Sequence, residues 1–335
     1  MKRFLPAVVA VLVLVALAVV LRDGDRPPER HVPLGAAVST RWLDSDARYR
    51  RVIARNFDSV TPENELKMAY TQPRRGRYDF GPADRVVDEA RLRGKEVRGH
   101  TLVWHGQIPR WVTRGGLGKR ALARVMREHI ATVVRRYRGK VHEWDVVNEA
   151  LEDFGGWRPS VWYRTLGPGY VEQAFQAAHA ADPSARLYYN DNLGRDRAAK
   201  WLAIRRLVVY LKRQGVPIHG VGIQNHVTTA SYPGREEMET NLRLLEKLGV
   251  DVQITEMDVT TSQGPSEDAL GLQARAYRDA AEACAAVRAC KRFTVWGVAD
   301  QFSWRGAHER PLLFDSHYRR KPAYAPLREA LGGSG

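Results

Sequence analysis

The chain has 335 residues, 44% of them apolar, which supports a sizeable core and excludes disorder over most of its length. That length fits two average domains or one (β/α)8 barrel, which takes about 250 residues. The formal charge of +15 is large; an arginine-rich composition explains it most simply, with an acidic substrate, an anionic cell-surface polymer or a phosphate-bearing partner as alternatives. No zinc-finger spacing, Walker loop or aromatic-basic RNA signature accompanies the charge, so no nucleic-acid partner is expected. The two cysteines, Cys284 and Cys290, have no further soft ligands nearby for a metal. In an oxidising compartment they can close a short local disulfide.

Met1-Lys-Arg3 is a basic start, followed by an unbroken apolar run from Phe4 to Leu21. The run is longer than a signal-peptide core and just reaches a membrane span. Ala16-Leu-Ala18 resembles a cleavage site, but apolar residues continue past it. An uncleaved anchor holding the bulk of the chain outside the cell is therefore the expected form, and a cleaved signal peptide is the alternative. Residues 1–21 are assigned to that segment, 22–31 to a polar linker with Pro27 and Pro28, and 32–335 to one catalytic domain.

From there, short apolar runs alternate with helix-length amphipathic segments. Strands are predicted at Leu34–Ala37, Ser59–Thr61, Glu96–Thr101, His142–Asn148, Arg186–Asn190, Gly220–Gln224, Asp251–Glu256 and Phe293–Gly297. Helices are predicted at Pro82–Arg93, Lys119–Tyr137, Tyr170–Ala181, Arg195–Gln214, Arg235–Leu248 and Glu267–Ala286. This α/β alternation predicts a single (β/α)8 TIM barrel rather than an open sheet, and no Gly-x-Gly-x-x-Gly follows the first strand to suggest a dinucleotide site.

In such a barrel the site is built at the C-terminal strand ends. Successive ends here carry Glu63-Asn64-Glu65, His100 to Gln107, Asn148-Glu149, Asn190-Asp191-Asn192, Gln224-Asn-His226, Glu256-Met-Asp258, and Trp296 with Trp304 beyond it. Each of the two glutamates ending a strand, Glu149 and Glu256, reads alone as a cap or an ion-pair partner. Together they suggest two carboxylates facing one another, the apparatus of glycoside hydrolysis. Amides, Lys67 and histidines suit a ligand with many hydroxyls, and tryptophan faces suit sugar rings, although core packing explains each tryptophan taken singly. His100, His105 and His226 lack the spacing of a helical metal site.

From about Leu34 to Leu327 the chain resembles glycoside hydrolase family 10, whose members are mainly endo-β-1,4-xylanases. The matching motifs are Thr61-Pro-Glu-Asn-Glu-Leu-Lys67, Gly99-His-Thr-Leu-Val-Trp-His105, Trp144-Asp-Val-Val-Asn-Glu149, Tyr189-Asn-Asp191, Gly220-Val-Gly-Ile-Gln-Asn-His226, Ile254-Thr-Glu-Met-Asp258 and Val295-Trp-Gly297 through Trp304. The resemblance implies a retaining enzyme with Glu149 as acid/base and Glu256 as nucleophile, their carboxyls about 5–5.5 Å apart. It implies that neighbouring negative charge raises the pKa of Glu149. It places Asn64, Lys67, His100, Trp104, Gln107, Gln224, Trp296 and Trp304 around the sugars, Asn148 on a 2-hydroxyl, and His226 on Glu256. His105 and Asp258 orient those residues, and Cys284 and Cys290 form a disulfide found in many members. No metal or cofactor is implied, xylan is the partner, and a monomer outside the cytoplasm is expected. Met68-Ala69-Tyr70 and Asn192-Leu193 depart from the family pattern beside the cleft, which puts chain preference in question more than the reaction. The rival readings are another β-1,4-glycanase, a cellobiohydrolase or aryl-glycosidase, and a membrane-tethered glycan binder without turnover.

Overall fold

Eight parallel strands close on themselves in the computed structural model, which describes residues 30–261 and 267–333. With one short addition, β7, the strands are β1 (Leu34–Val38), β2 (Ser59–Pro62), β3 (Glu96–Val103), β4 (Glu143–Asn148), β5 (Arg186–Asp191), β6 (Gly220–Ile223), β7 (His226–Thr228), β8 (Asp251–Thr260) and β9 (Cys290–Val295). Neighbours run in chain order from β1 to β6; β6 then pairs with β8, β8 with β9, and β9 with β1. The short β7 pairs only with the outer half of β8. Each barrel strand is followed by a packing helix: α1 (Ala47–Asn56), α2 (Gly81–Leu92), α3 (Lys119–Arg136), α4 (Tyr170–Ala181), α5 (Arg197–Arg213), α6 (Arg235–Lys247), α7 (Glu267–Ala286) and α8 (Tyr324–Ala330). The fold is a (β/α)8 barrel.

All eight predicted strands are present. The sixth ends one residue early: β6 stops at Ile223, Asn225 takes a left-handed φ of 60°, and pairing resumes at His226. With the break, three consecutive residues, Gln224, Asn225 and His226, all line the cleft, which regular alternation would not allow. Among the elements beyond the prediction are two that pack on the barrel: α1, whose N-terminus is capped by Asp46 accepting from the backbone N–H of Arg48 and Tyr49, and α8. The anchor or signal segment 1–21, and most of the linker, lie outside the described residues. Among the described residues no helix is long and apolar enough to cross a membrane.

The strand bodies are apolar on one face only. Val97, Trp144, Val146, Leu187, Val221, Ile254 and Phe293 are buried against the helix layer, where the hydrophobic core lies. The alternate positions are polar and face the lumen, as the bond from Arg98 Nη1 on β3 to Gln253 Oε1 on β8 shows, since it spans 2.7 Å between strands that are not neighbours. Close packing between the layers fixes Gly99, where an added Cβ would lie 2.2 Å from the ring of the fully buried Trp144. The disulfide pair sits at the opposite end of the barrel from the cleft. Cys284 near the end of α7 and Cys290 at the start of β9 are bonded, with Cα atoms 5.3 Å apart. Gly99→Ala is expected to lower the unfolding free energy by about 1–3 kcal/mol through overpacking against Trp144; an unchanged denaturation midpoint would contradict this packing.

Candidate active site

The strand ends surround a cleft of about 750 Å³. Twelve residues singled out from the sequence line it: Asn64, Lys67, His100, Trp104, Gln107, Asn148, Glu149, Gln224, His226, Glu256, Trp296 and Trp304. His105 and Asp258 stand behind them, His105 against Glu149 and Asp258 against His226 and Trp304. Glu63 and Asn192, noted in the sequence only as strand-end positions beside the cleft, also line it, as do Asp153, Arg195 and Arg197, which were not singled out.

Glu256 is buried on β8 and takes a donor on each oxygen. Asn190 Nδ2 donates to Oε1 at 2.6 Å, and His226 Nε2 lies 3.2 Å from Oε2. Asn190, at the end of β5, is held from behind by the Thr255 hydroxyl, which donates to its Oδ1 at 2.7 Å. Space for that pair exists because position 222 is glycine; a Cβ there would lie 2.2 Å from Asn190 Oδ1. Neither Asn190 nor Thr255 was assigned a role from the sequence, although Asn190 was visible as a polar strand end.

Asn148 links the two glutamates. Asn190 Nδ2 and Gln224 Nε2 both donate to its Oδ1 at 3.0 Å, and Gln224 Nε2 also donates to Glu149 Oε1 at 2.9 Å. A reversed Asn148 amide would accept from Trp104 Nε1 at 3.3 Å and donate to the Asn190 carbonyl at 3.1 Å, but would also turn its N–H groups on Asn190 Nδ2 and Gln224 Nε2, both donors. Because the Glu256 and Glu149 carboxylates accept, they fix Asn190 Nδ2 and Gln224 Nε2 as donors, so the orientation with the Asn148 oxygen toward Asn190 and Gln224 is the consistent one, and the NH2 group lies beside Trp104 on the cleft wall.

Glu149 follows β4 with a left-handed φ of 55° and keeps its place through its N–H bond to the Asn190 carbonyl at 2.9 Å. Its Oε2 lies 2.7 Å from His105 Nε2. Burial raises the Glu149 pKa, but donation from His105, Gln224 and Trp104 outweighs it and holds the carboxyl at about 2. The expectation that neighbouring negative charge raises this pKa is therefore corrected: hydrogen-bond donors dominate its surroundings. The His105 contact is reversible in polarity, because the other imidazole tautomer would make Nε2 an acceptor for a Glu149 O–H.

On the other walls, Lys67 Nζ donates to Asn64 Oδ1 at 3.1 Å and stands 4.8 Å from the Trp104 ring centroid. Burial pulls the Lys67 pKa below its ordinary value, against the attraction of Glu256, Glu63 and Glu149. Trp304 is 56% exposed and donates Nε1 to Asp258 Oδ2 at 2.8 Å, so its ring faces the cleft rather than the core. Trp296 is buried edge-on against His100 and keeps only a small open face.

His226 is the cation bonded to Glu256. Burial opposes its charge, but Asp258, 2.8 Å from Nδ1, and Glu256 outweigh burial and push the imidazole from 6.5 up to about 10. Because folding raises this pKa, the imidazolium contributes its full stability below about 6.5, and the contribution is lost as pH rises through about 10. Nitrogen NMR of the folded protein should therefore find the His226 ring doubly protonated well above neutral pH. Asp258→Asn should return its titration toward the ordinary range and destabilise the fold by about 1–3 kcal/mol at neutral pH; a ring already neutral at pH 7 in the parent protein would refute the assignment.

Comparison with known proteins agrees with this geometry. The sequence pattern of glycosyl hydrolase family 10 matches residues 28–330. The β-1,4-xylanase of Dictyoglomus thermophilum is 42% identical over 309 residues, 87% of this chain and 86% of that protein. Endo-1,4-β-xylanase 1 of Gibberella zeae is 39% identical over 279 residues, 80% of this chain and 79% of that one. The crystal structure of xylanase 10B from Thermotoga maritima superposes with a TM-score of 0.86 at 39% identity, covering 90% of this chain and 95% of that one. Xylanase 10B from Thermotoga petrophila, solved in complex with xylobiose, gives the same score and identity over 94% of its chain. The chain belongs to glycosyl hydrolase family 10.

Proposed function

We propose that this protein is a retaining endo-β-1,4-xylanase that cuts internal bonds of xylan through a covalent glycosyl-enzyme. The unequal setting of the two glutamates carries the reading. Glu256 is buried, with an amide donor on one oxygen and an imidazolium on the other, which keeps it a carboxylate ready to attack. Glu149 is partly exposed and bonded to a group whose polarity can reverse, which suits a residue that must give and then take a proton. The relatives named as xylanases, and the related structure holding xylobiose, support xylan as the substrate.

In the first half-reaction Glu256 attacks the anomeric carbon while Glu149 delivers its proton to the departing oxygen, and the glycosidic C–O bond breaks. Glu149 can hold that proton when His105 Nε2 accepts rather than donates across their 2.7 Å contact. A sugar seated in the cleft also removes the remaining water from the carboxyl and so favours its neutral form. In the second half-reaction Glu149 takes a proton from water, the water oxygen bonds to the anomeric carbon, and the ester bond to Glu256 breaks. Donation by His105, Gln224 and Trp104 then stabilises the charged state in which Glu149 serves as base. The Asn148 NH2 group, beside Trp104, donates to the 2-hydroxyl of the sugar at the cleavage point. Lys67, Asn64, Gln107, His100 and the tryptophans hold the glycone side, where indole faces take the C–H faces of the rings.

The protein works as a monomer outside the cytoplasm. The apolar run from Phe4 to Leu21 supports retention at the outer face of the membrane, and the bonding of Cys284 to Cys290 suits an oxidising compartment. N-terminal sequencing of the exported protein distinguishes an anchor from a cleaved signal peptide.

Purified protein should release reducing xylo-oligosaccharides from β-1,4-xylan. Turnover of cellulose or mannan with none of xylan would sink the substrate, and binding without turnover of any β-glycan would sink the reaction. Glu256→Ala should lower kcat by about 10⁴-fold or more on every substrate. Glu149→Ala should keep appreciable turnover of aryl xylosides with good leaving groups, which need no proton. Equal losses for the two variants on such a substrate would contradict the assigned roles.

A further inference from the structure

Helix α5 begins at the cleft, which Arg197 lines, and descends the flank of the barrel beside α6. Near its start the positive charges are matched: Arg197 forms a two-bond pair with Glu237 of α6, and on α6 itself Arg235 and Arg243 pair with Glu282 and Glu239. Farther down, the pattern changes. A groove of about 610 Å³ between the second half of α5 and the end of α6 is bordered by Arg205, Arg206, Arg213 and Lys247, and no carboxylate lines it. Arg205 donates to Asn241 Oδ1 at 2.8 Å, whereas Arg206, Arg213 and Lys247 make no ion pair among the described residues. The remaining lining is largely apolar: Val209, Tyr210, Leu244 and Leu248. Tyr210 is 43% exposed, although it is a large aromatic residue on a helix with a fully formed buried face.

We propose that this groove is a second polysaccharide-binding site, distinct from the cleft, for chains that carry carboxylates, such as uronic-acid-bearing glycans. Arg206, Tyr210 and Arg213 follow one another at helical spacings of four and three residues, so they form one stripe. The two arginines are about 10 Å apart along the axis, a span of roughly two sugar rings, with the aromatic ring between them. A guanidinium grips a carboxylate through two parallel N–H bonds, and a tyrosine face accepts the C–H face of a sugar. Concavity favours a chain over a lipid surface, because a flat bilayer would miss the floor between the helices. Tyr210 lies thirteen residues along the helix from Arg197, about 20 Å from the cleft rim. A polymer held there is kept at high local concentration beside the catalytic residues. Binding at the groove does not depend on the proposed reaction; only its use in presenting substrate does.

The test uses the full chain and two probes: polygalacturonate, a uronate polymer without xylosidic bonds, and glucuronoxylan. Arg206→Gln, Arg213→Gln and Lys247→Gln together should weaken polygalacturonate binding about tenfold, and Tyr210→Ala alone about threefold. Removing the same charge elsewhere, with Lys119→Gln, Arg120→Gln and Arg124→Gln on α3, should change it by less than about twofold. Weakening of the glucuronoxylan complex by the groove variants, but not of the complex with unsubstituted xylan, is the matching result. Equal losses for the two triple variants would show net charge acting rather than a site, and would overturn the proposal, as would no loss in either. Binding to vesicles of anionic phospholipid with none to polygalacturonate would assign the groove to a membrane instead and would also overturn it. Groove-dependent binding of polygalacturonate by a protein that leaves xylan uncut would uphold the groove and refute the xylanase reading.

Discussion

The structure turns on keeping one buried carboxylate ionised. Glu256 lies at the end of β8 with little water, and an isolated charge in that position would be destabilising by several kcal/mol. The barrel offsets that by bringing donors from different strands to it. Asn190 comes from the end of β5, His226 from the resumed strand after β6, and His100 Nδ1 on β3 stands 3.9 Å away. Each donor is fixed in turn: Asn190 by Thr255, His226 by Asp258, and Asp258 by the Trp304 indole, with Arg305 3.8 Å off. No single segment of chain could supply this set, so the hydrogen-bonded setting of Glu256 depends on closure of the sheet.

The same logic continues below the cleft, where the lumen is an ionic column rather than an oily core. His100 Nδ1 meets Asp145 Oδ2 at 3.0 Å, Asp145 takes two bonds from Arg98, and Arg98 reaches Gln253 across the barrel. Gln253 passes the chain on to Glu143 at 2.7 Å. Burial opposes the charge of Arg98, but Asp145 and Glu143 outweigh it and raise its pKa strongly. Removing one member would leave an uncompensated charge in the lumen, which makes the column a strong selector of strand register. It also fixes the His100 ring from the side away from the cleft, so the residue nearest Glu256 on β3 has one orientation available.

The fold and both glutamates were legible because their signals are local. A buried strand that ends in a carboxylate is costly unless the carboxylate has work, and that holds wherever the strand lands. The positioning residues were less legible because their meaning lies in register. Asn190 matters through its alignment opposite Gly222 and its bond to Thr255 on a strand it does not pair with, neither of which spacing along the chain reveals. The polar positions Arg98, Asp145 and Gln253 interrupt otherwise apolar runs, and only ring closure turns those interruptions into an inward face. The break in β6 rests on the φ of a single residue, Asn225, inside a run that reads as continuous. Reasoning from charge alone misjudged Glu149, since the groups that set its titration are His105 and Trp104 on the loop after β3 and Gln224 beyond β6.

That misjudgement points to a division of labour between the glutamates. A nucleophile changes state only when it bonds covalently, so its surroundings should favour one charge state and be hard to rearrange. On the proposed assignment of Glu256 as nucleophile, donors anchored on strand ends, one of them a histidine charged through Asp258, meet that need. An acid/base must change charge twice in each turnover, so surroundings that fixed either state firmly would slow one of its two steps. Glu149, the proposed acid/base, sits instead at a left-handed φ just past the strand, partly exposed, against an imidazole that can donate or accept at the same distance. Gln224 contacts Glu149 and Asn148 with one nitrogen, and Asn190 contacts Glu256 and Asn148 with another. The Asn148 oxygen is thus the one acceptor common to both halves. In the proposed complex, drawing the Asn148 NH2 group onto a sugar 2-hydroxyl would polarise that oxygen, strengthen donation from both amides, and couple the seating of the sugar to the electrostatics of the two carboxylates at once.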